Sequence, residues 1–252
     1  MDLNLKDRTA LVTGASAGIG AGIARALAAE GVRIAITARR GEPLERLAAE
    51  IEAGGGQRPL VLTGDVTDAS TVSSIVSDAA GTLGGIDILV NSAGGSRPVP
   101  LDASEEVWDE AFALNFHAIR RFAAAVLPSM QERRWGRIVN ISGSMEPRAL
   151  NAAMAAKAAL HLWAKGLACD VAADGITVNT IAPGRINSEQ ILTKMYPTEE
   201  ARQRFIAANI PIGYFGDPED IAHLVAFLVS PLARYITGAV IPVDGAMRFS
   251  AH

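Results

Sequence analysis

The run Thr9-Ala10-Leu11-Val12-Thr13-Gly14-Ala15-Ser16-Ala17-Gly18-Ile19-Gly20 constrains this chain more than any other stretch. Three apolar residues, Ala10, Leu11 and Val12, lead into glycines at 14, 18 and 20, and Ile19, Ile23, Ala24, Leu27 and Ala28 then share one face of a helical pattern. The order is strand, tight turn, helix. Glycine lets the backbone turn sharply and come close to a ligand, while a helix N-terminus offers unpaired N–H groups and the positive end of its dipole. The guest that suits such a turn is the pyrophosphate of a dinucleotide.

Strand and helix signals alternate through the rest of the chain. Strands are expected at Val32 to Thr37, Leu60 to Thr63, Ile86 to Val90, Arg137 to Ser142, Ile176 to Ala182 and Ala239 to Val243. Between them fall helices: one with Pro43 at its first position and a stop at Gly54-Gly55-Gly56, then Ala69 to Leu83, Ser104 to Arg134 with a break near Leu114, Ala152 to Ala173, and Pro218 to Val229. The strands are apolar throughout rather than alternating, which implies a parallel sheet covered on both faces. The fold class expected is α/β, a single doubly wound domain of about seven strands over residues 1–252. Ligands bind such sheets at the carboxyl ends of the strands, where the strand order reverses. The segment from Arg185 to Phe215 is long for a connection and reads as a substrate lid.

Composition narrows the function. With 252 residues, 49% of them apolar, the chain can bury one large core, and a net charge of −4 with no basic run leaves no footprint for nucleic acid. The N-terminus carries no basic and then apolar leader, and no segment reaches the roughly 18 apolar residues needed to cross a bilayer. A cytoplasmic protein with no membrane partner is expected. The one cysteine, Cys169, has Leu167, Ala168 and Val171 as neighbours and reads as a helix-packing residue rather than a catalytic thiol. No group of His, Cys, Asp and Glu has metal spacing, so no metal is expected.

The glycine spacing, Gly-x-x-x-Gly-x-Gly after Thr13, resembles the fingerprint of the short-chain dehydrogenase/reductase family, and further motifs follow in that family's order. Asp65-Val66 resembles its adenine contact. Asn91-Ser92-Ala93-Gly94 is similar to its Asn-Asn-Ala-Gly motif with serine at the second place, and Pro183-Gly184 with Ser188 is similar to the segment that meets the nicotinamide carboxamide. Tyr235-Ile236-Thr237-Gly238 and Val243-Asp244-Gly245 resemble its C-terminal signature. The resemblance covers nearly the whole chain and implies a Rossmann-type sheet with Thr13, Gly14, Ser16, Gly18, Ile19, Gly20, Asp65, Val66, Asn91, Ala93, Gly94, Lys157, Pro183, Gly184, Ile186 and Ser188 around a nicotinamide dinucleotide.

Cofactor choice turns on the end of the second strand, where an acidic residue reads a ribose diol and a guanidinium reads a phosphate. Here stand Ala38, Arg39 and Arg40. With no carboxylate and two guanidiniums, NADP(H) is favoured over NAD(H), Arg39 being the choice for the 2′-phosphate and Arg40 the more ordinary solvated charge. Ala17 fills a glycine-loop position where the family often has a basic residue, which softens the preference.

The resemblance also implies a hydride transfer between nicotinamide and a carbonyl carbon, with a serine polarising the carbonyl, an asparagine sustaining a proton-relay water, and a tyrosine four residues before a lysine as proton donor. Asn115 and Lys157 match. Four residues before Lys157, however, stands Ala153, and no tyrosine occurs before Tyr196. Gly143 occupies the usual serine position, leaving Ser144, and nearly equally Ser142, to reach the carbonyl. Because the adjoining Met145-Glu146-Pro147-Arg148 loop also departs from the family pattern, a natural divergent branch is favoured over an engineered Tyr-to-Ala variant. Glu146 is one candidate acid, although a solvated loop carboxylate is its simpler reading. His161 shares the face of Lys157 one turn on, but is expected to point away from the chemistry as a packing or interface residue; His117 has the same reading.

Arg97, Arg148 and Arg185 fall in loops expected near the strands' carboxyl ends, and Arg185 in particular is a candidate for binding an anionic substrate. Small residues on the Lys157 helix permit close helix contact, and the resemblance implies a homotetramer or homodimer. Two functions follow: an NADP(H)-dependent oxidoreductase, similar to 3-oxoacyl carrier protein reductases, with an atypical donor, or a catalytically silent cofactor-binding sensor or structural partner.

Overall fold

The computed structural model describes residues 1–143, 146–188 and 191–248, with the side chain of Lys194 left aside. Seven strands form one parallel sheet: β1 Thr9–Thr13, β2 Arg33–Ala38, β3 Leu60–Thr63, β4 Ile88–Asn91, β5 Gly136–Ile141, β6 Ile176–Pro183 and β7 Val240–Val243. Their spatial order is β3-β2-β1-β4-β5-β6-β7. The chain winds outward from β1 through β2 to β3, returns across the sheet to β4, and then winds the other way. The reversal places a crevice at the carboxyl ends of β1 and β4, where Thr13 pairs in register with Asn91.

Helices cover both faces. Residues of α1 Gly18–Ala29, α2 Gly41–Ala53 and α8 Pro218–Val229 close one face, where Ile23, Leu27, Leu44, Leu47, Ile221 and Val225 pack on Val12, Ile36 and Val139. On the other, α3 Ala69–Leu83, α5 Ala118–Glu132 and α6 Ala152–Val171 bring Val72, Ile75, Phe122, Val126 and Ala164 against Leu11, Leu89 and Ile138. Strands β1 to β6 supply apolar side chains to both layers, which is why their sequences do not alternate.

Several helix ends follow from local chemistry. The Asp68 carboxylate accepts from Thr71 N at 2.7 Å and caps α3, which closes at Gly84 in the left-handed region. Pro218 opens α8 at its first position behind a capping box between Asp217 and Asp220. Pro43, expected at the first position of α2, is instead its third residue. The N–H groups of a helix's first turn have no intrahelical partner, so a proline is tolerated throughout that turn. The expected break near Leu114 is a π-helical turn, Ala113–His117, between α4 Glu105–Phe112 and α5. Cys169, expected in the packing, is exposed: Ala168 and Val171 face the core, and Cys169 lies off their stripe.

The segment after β6 contains a second π-helical turn, Ile191–Met195, and α7 Glu199–Asn209. Its own small core joins Ile206, Ile210 and Phe215 to Tyr196 and Phe205. The Tyr196 and Phe205 rings are tilted at 4.8 Å, and each meets Phe215 edge-on at 5.6 and 6.1 Å between centroids.

Candidate active site

The glycine loop is shaped by close backbone contacts. Gly14 has φ +67°, and a Cβ there would stand 2.7 Å from the N and Cα of Ala93; one on Gly20 would stand 2.4 Å from Gly14 O. No side chain fits at either place, so the loop lies tight against the turn after β4. Thr13 organises that junction: its buried Oγ1 accepts from Ser92 N and Ala93 N, both at 3.1 Å. Its role is therefore to hold the Asn-Ser-Ala-Gly turn against the loop.

Around the start of α1 lies a cavity of about 350 Å³ lined by Ser16, Ala17, Gly18, Pro43, Asn187 and Ser188 among others. It joins the glycine loop to the start of α2 and to the segment after β6. The Ser188 hydroxyl also accepts from Ile191 N at 3.4 Å, tying the cavity wall to the lid's π-helical turn. Arg39 and Arg40 are exposed at the end of β2. Asp65, after β3, accepts from Thr67 N at 2.9 Å and Thr67 Oγ1 at 2.8 Å, and these bonds, with Arg39 nearby, hold its carboxyl below the usual range. Val66 is buried in the core, leaving Asp65 as the side chain facing outward at this corner. Asn91 is buried too, its Nδ2 donating to Asn140 Oδ1 at 2.9 Å across β4 and β5. Ile186 is buried and forms an isolated bridge with Gly216. Gly184 packs so closely on Asp244 that a Cβ would stand 2.7 Å from its Cα. Glycine at 184 is thus required by the C-terminal segment.

Asn115 sits in the π-helical turn, buried. Its Nδ2 donates to Ala111 O at 2.9 Å, and its Oδ1 accepts from Gly95 N at 3.1 Å, which anchors the glycine pair after β4. A π-helical turn widens the local helix and breaks the i→i−4 ladder, freeing backbone groups for other partners. His117, in the same turn, lies beside the rings of Phe112 and Phe116.

Lys157 projects from α6 toward the end of β5. Its Nζ donates to Ser142 O at 3.0 Å. Burial disfavours the charged ammonium and pushes it down to about 8. Ala153, one turn earlier, is buried and brings only a methyl group. The sequence reading sent His161 away from the chemistry; the structure corrects this. His161 Nε2 lies 2.6 Å from the buried Ser142 Oγ. Burial first, then the charges of Arg248 and Lys157, push the imidazole below its ordinary value. The signal was present in the i, i+4 spacing of Lys157 and His161. Its partner at the strand end is set by tertiary packing and could not be read locally. Ser144, the other candidate serine, lies outside the described residues.

The loop arginines each meet protein. Arg97 pairs with Glu110 at 2.8 Å on the surface. Arg148 donates to Asn209 Oδ1 at 2.6 Å, joining the loop after β5 to α7, and Glu146 is partly buried in that loop. The Arg185 guanidinium lies 5.2 Å from the centroid of the Phe205 ring and 5.9 Å from that of Tyr196, beneath the lid. It also lines a 230 Å³ cavity with Tyr214, Asp220 and Asp244. Among the described residues no group of three or more His, Cys, Asp or Glu side chains could hold a metal ion.

Residues 14–248 match the family model described as enoyl-(acyl carrier protein) reductase. The 3-oxoacyl-[acyl-carrier-protein] reductase FabG of Vibrio cholerae is 38% identical over 250 residues, covering 97% of this chain and 99% of that protein. The 2,5-dichloro-2,5-cyclohexadiene-1,4-diol dehydrogenase LinX of Sphingobium indicum is 37% identical over 245 residues, 96% of each chain. Among solved structures, L-sorbose reductase of Gluconobacter frateurii, complexed with NADPH and L-sorbose, superposes with a TM-score of 0.95 at 30% identity over 99% of this chain and all of that one. A 7α-hydroxysteroid dehydrogenase complexed with NADH and 7-oxo glycochenodeoxycholic acid gives 0.92 at 31% identity, covering 100% of this chain and 98% of that chain. With its parallel sheet and the strand order around its glycine loop, the chain belongs to the short-chain dehydrogenase/reductase family.

Proposed function

We propose that this protein is an NADP(H)-dependent oxidoreductase that exchanges a hydride between nicotinamide and a carbonyl or secondary alcohol, with a proton donor other than tyrosine. The observation that carries the reading is the placement of Lys157 Nζ against Ser142 O, at the sheet's carboxyl edge that also carries the glycine loop and the turn anchored by Asn115. The cofactor, when bound, supplies the hydride. Gly14, Ser16, Gly18, Ile19 and Gly20 would take its pyrophosphate, Asp65 and Val66 its adenine, Asn91, Ala93, Gly94 and Lys157 its nicotinamide ribose, and Pro183, Gly184, Ile186 and Ser188 its carboxamide. Relatives with NADPH and with NADH share this fold. The preference for NADP(H) therefore rests on Arg39 and Arg40 at the end of β2, where no carboxylate faces a ribose diol.

A second reading, a cofactor-binding protein without turnover, draws on Ala153 and Gly143, which place no hydroxyl beside Lys157. The substrate proposed is a small carbonyl or alcohol, an anionic one if Arg97, Arg148 or Arg185 is recruited. A homodimer or homotetramer is supported by α6, where Leu162 is 80% exposed next to Trp163, whose ring meets Phe116 edge-on. No helix among the described residues is long and apolar enough to cross a membrane, and a cytoplasmic site of action fits that reading. The deciding test is fluorescence titration with NADPH and NADH, followed by NADPH oxidation against ketones, 3-oxoacyl thioesters and oxo-acids. Binding with turnover supports the enzyme, and binding without turnover on the panel supports the silent reading.

A further inference from the structure

Lys157 stands where two neighbouring side chains are cut back. A Cβ at Gly143 would lie 3.5 Å from Lys157 Nζ and 3.6 Å from its Cδ, in ordinary contact, so a longer side chain at that position could reach over the ammonium where glycine reaches nothing. Glycine leaves that approach open. One helical turn before the lysine, Ala153 ends at its methyl. Nζ has three N–H donors and gives one to Ser142 O, which leaves two for a ligand, and the side chain is only partly buried. Of the three tyrosines, Tyr196 is stacked in the lid core, Tyr235 is 99% exposed, and Tyr214 lines the separate cavity beside Arg185.

We propose that the Lys157 ammonium is itself the proton donor of this site, with Ser142 and His161 as the residues that position it. This rests on the oxidoreductase reading above. As the carbonyl carbon gains its hydride, the C=O π pair moves to oxygen. An O–H bond then forms as one Nζ–H bond of Lys157 breaks. The substrate is reduced by two electrons, the dihydronicotinamide is oxidised by two, and water returns the proton to the neutral amine. Ser142 O fixes the direction of one N–H, and the contact between Ser142 Oγ and His161 Nε2 holds that strand end in place.

The electrostatics agree with this geometry. An acid works best when its midpoint lies near the working pH, and burial brings Lys157 to about 8. The helix that carries it packs on α4, the π-helical turn, β6 and the 3-10 turn Ala172–Asp174, whose Asp174 pairs with Arg134 at 3.8 Å. No ionisable side chain occurs on β6, the carboxylates of α4 (Glu105, Glu106, Asp109 and Glu110) are exposed, and His117 of the turn lies among aromatic rings. His161 lies on the same helix, and among the described residues both Arg248 of the C-terminal segment and Lys157 act on its imidazole.

The test begins with the cofactor-free protein carrying [ε-13C]lysine. The chain has four lysines, and the signal missing from Lys157→Arg assigns Lys157. A midpoint near 8 is expected; one near the ordinary value of about 10.4 overturns the proposal. With NADPH and a reducible carbonyl, kcat for reduction should fall as pH rises through that same midpoint, and kcat for alcohol oxidation should rise through it. Lys157→Arg keeps the charge that would meet the nicotinamide ribose but does not release a proton, so turnover should drop by roughly 10²–10⁴-fold, and the loss should persist at saturating NADPH. Turnover that survives Lys157→Arg within about tenfold, or a pH limb that Glu146→Gln abolishes and Lys157→Arg leaves in place, overturns the proposal and spares the oxidoreductase reading. Failure of the wild type to reduce any carbonyl in the panel overturns both.

Discussion

Ser142 Oγ and His161 Nε2 lie 2.6 Å apart at the point where β5 ends, and the carbonyl of the same serine accepts from Lys157. One residue thus joins the imidazole to the ammonium, its side chain serving one and its backbone the other. A single hydrogen lies in the contact between Oγ and Nε2, whichever atom carries it.

Replacing His161 with leucine should leave the buried Ser142 hydroxyl without this partner, at a cost of about 1–3 kcal/mol in urea unfolding. The pH dependence has a definite sign. The folded imidazole lies below its ordinary value, so just below pH 6.5 the unfolded chain binds the proton more readily. Wild-type stability should therefore fall as pH drops through that window, and His161→Leu should lose this component of the fall. An equal slope in the two proteins between pH 7 and 6 would show that the burial and neighbouring charges do not lower the imidazole in solution.

Lys157 gives a second linkage at the alkaline side. Its folded value of about 8 lies below the unfolded value, so between the two the unfolded chain holds the extra proton. Stability of the cofactor-free protein should rise from pH 8 to about 10.4, by at most about 3 kcal/mol. Lys157→Met should flatten that rise, measured by chemical unfolding across the range.

The Cβ positions make the glycine loop a test of the dinucleotide reading. At Gly14 the left-handed φ and the backbone of Ala93 at 2.7 Å leave alanine no room, so Gly14→Ala should force the loop from the β4 turn. Titration should show at least a tenfold loss of NADPH affinity. Arg39→Ser should act selectively, lowering affinity for NADPH by tenfold or more and leaving NADH nearly unchanged. Equal losses for both cofactors would remove Arg39 from the 2′-phosphate.

How much of this was legible without coordinates depended on whether the information was local. The bounds of β3, α3 and α8 follow from runs such as Leu60–Thr63 and from stops and caps within a few residues, and the structure repeats them. The break near Leu114 was also readable; its π-helical form, and the bond from Gly95 N to Asn115 in that turn, were not, because the partner lies in a distant loop. The motif residues could be ranked in order along the chain, yet their division of labour is tertiary. Thr13 turns out to brace the β4 turn, and His161 meets a strand end 19 residues away in sequence. Cys169 shows the opposite limit: apolar neighbours in sequence do not tell which face of a helix a residue occupies.

Arg185 separates two accounts of the lid. Its guanidinium lies over Phe205 and near Tyr196, inside the small core that α7 shares with Phe215, and it also lines the cavity shared with Asp220 and Asp244. If its work is to brace the lid, Arg185→Met preserves much of the packed stem but loses the cation–ring contacts, worth about 0.5–2 kcal/mol. Proteolysis within 185–215 should then quicken, and KM should rise alike for neutral and acidic carbonyls. If it binds a substrate anion, KM should rise tenfold or more for oxo-acids alone and cleavage should be unchanged. The ring contacts already engage the guanidinium, while two carboxylates border the same cavity and would repel an anion there. The expected outcome is therefore faster cleavage with no discrimination by substrate charge.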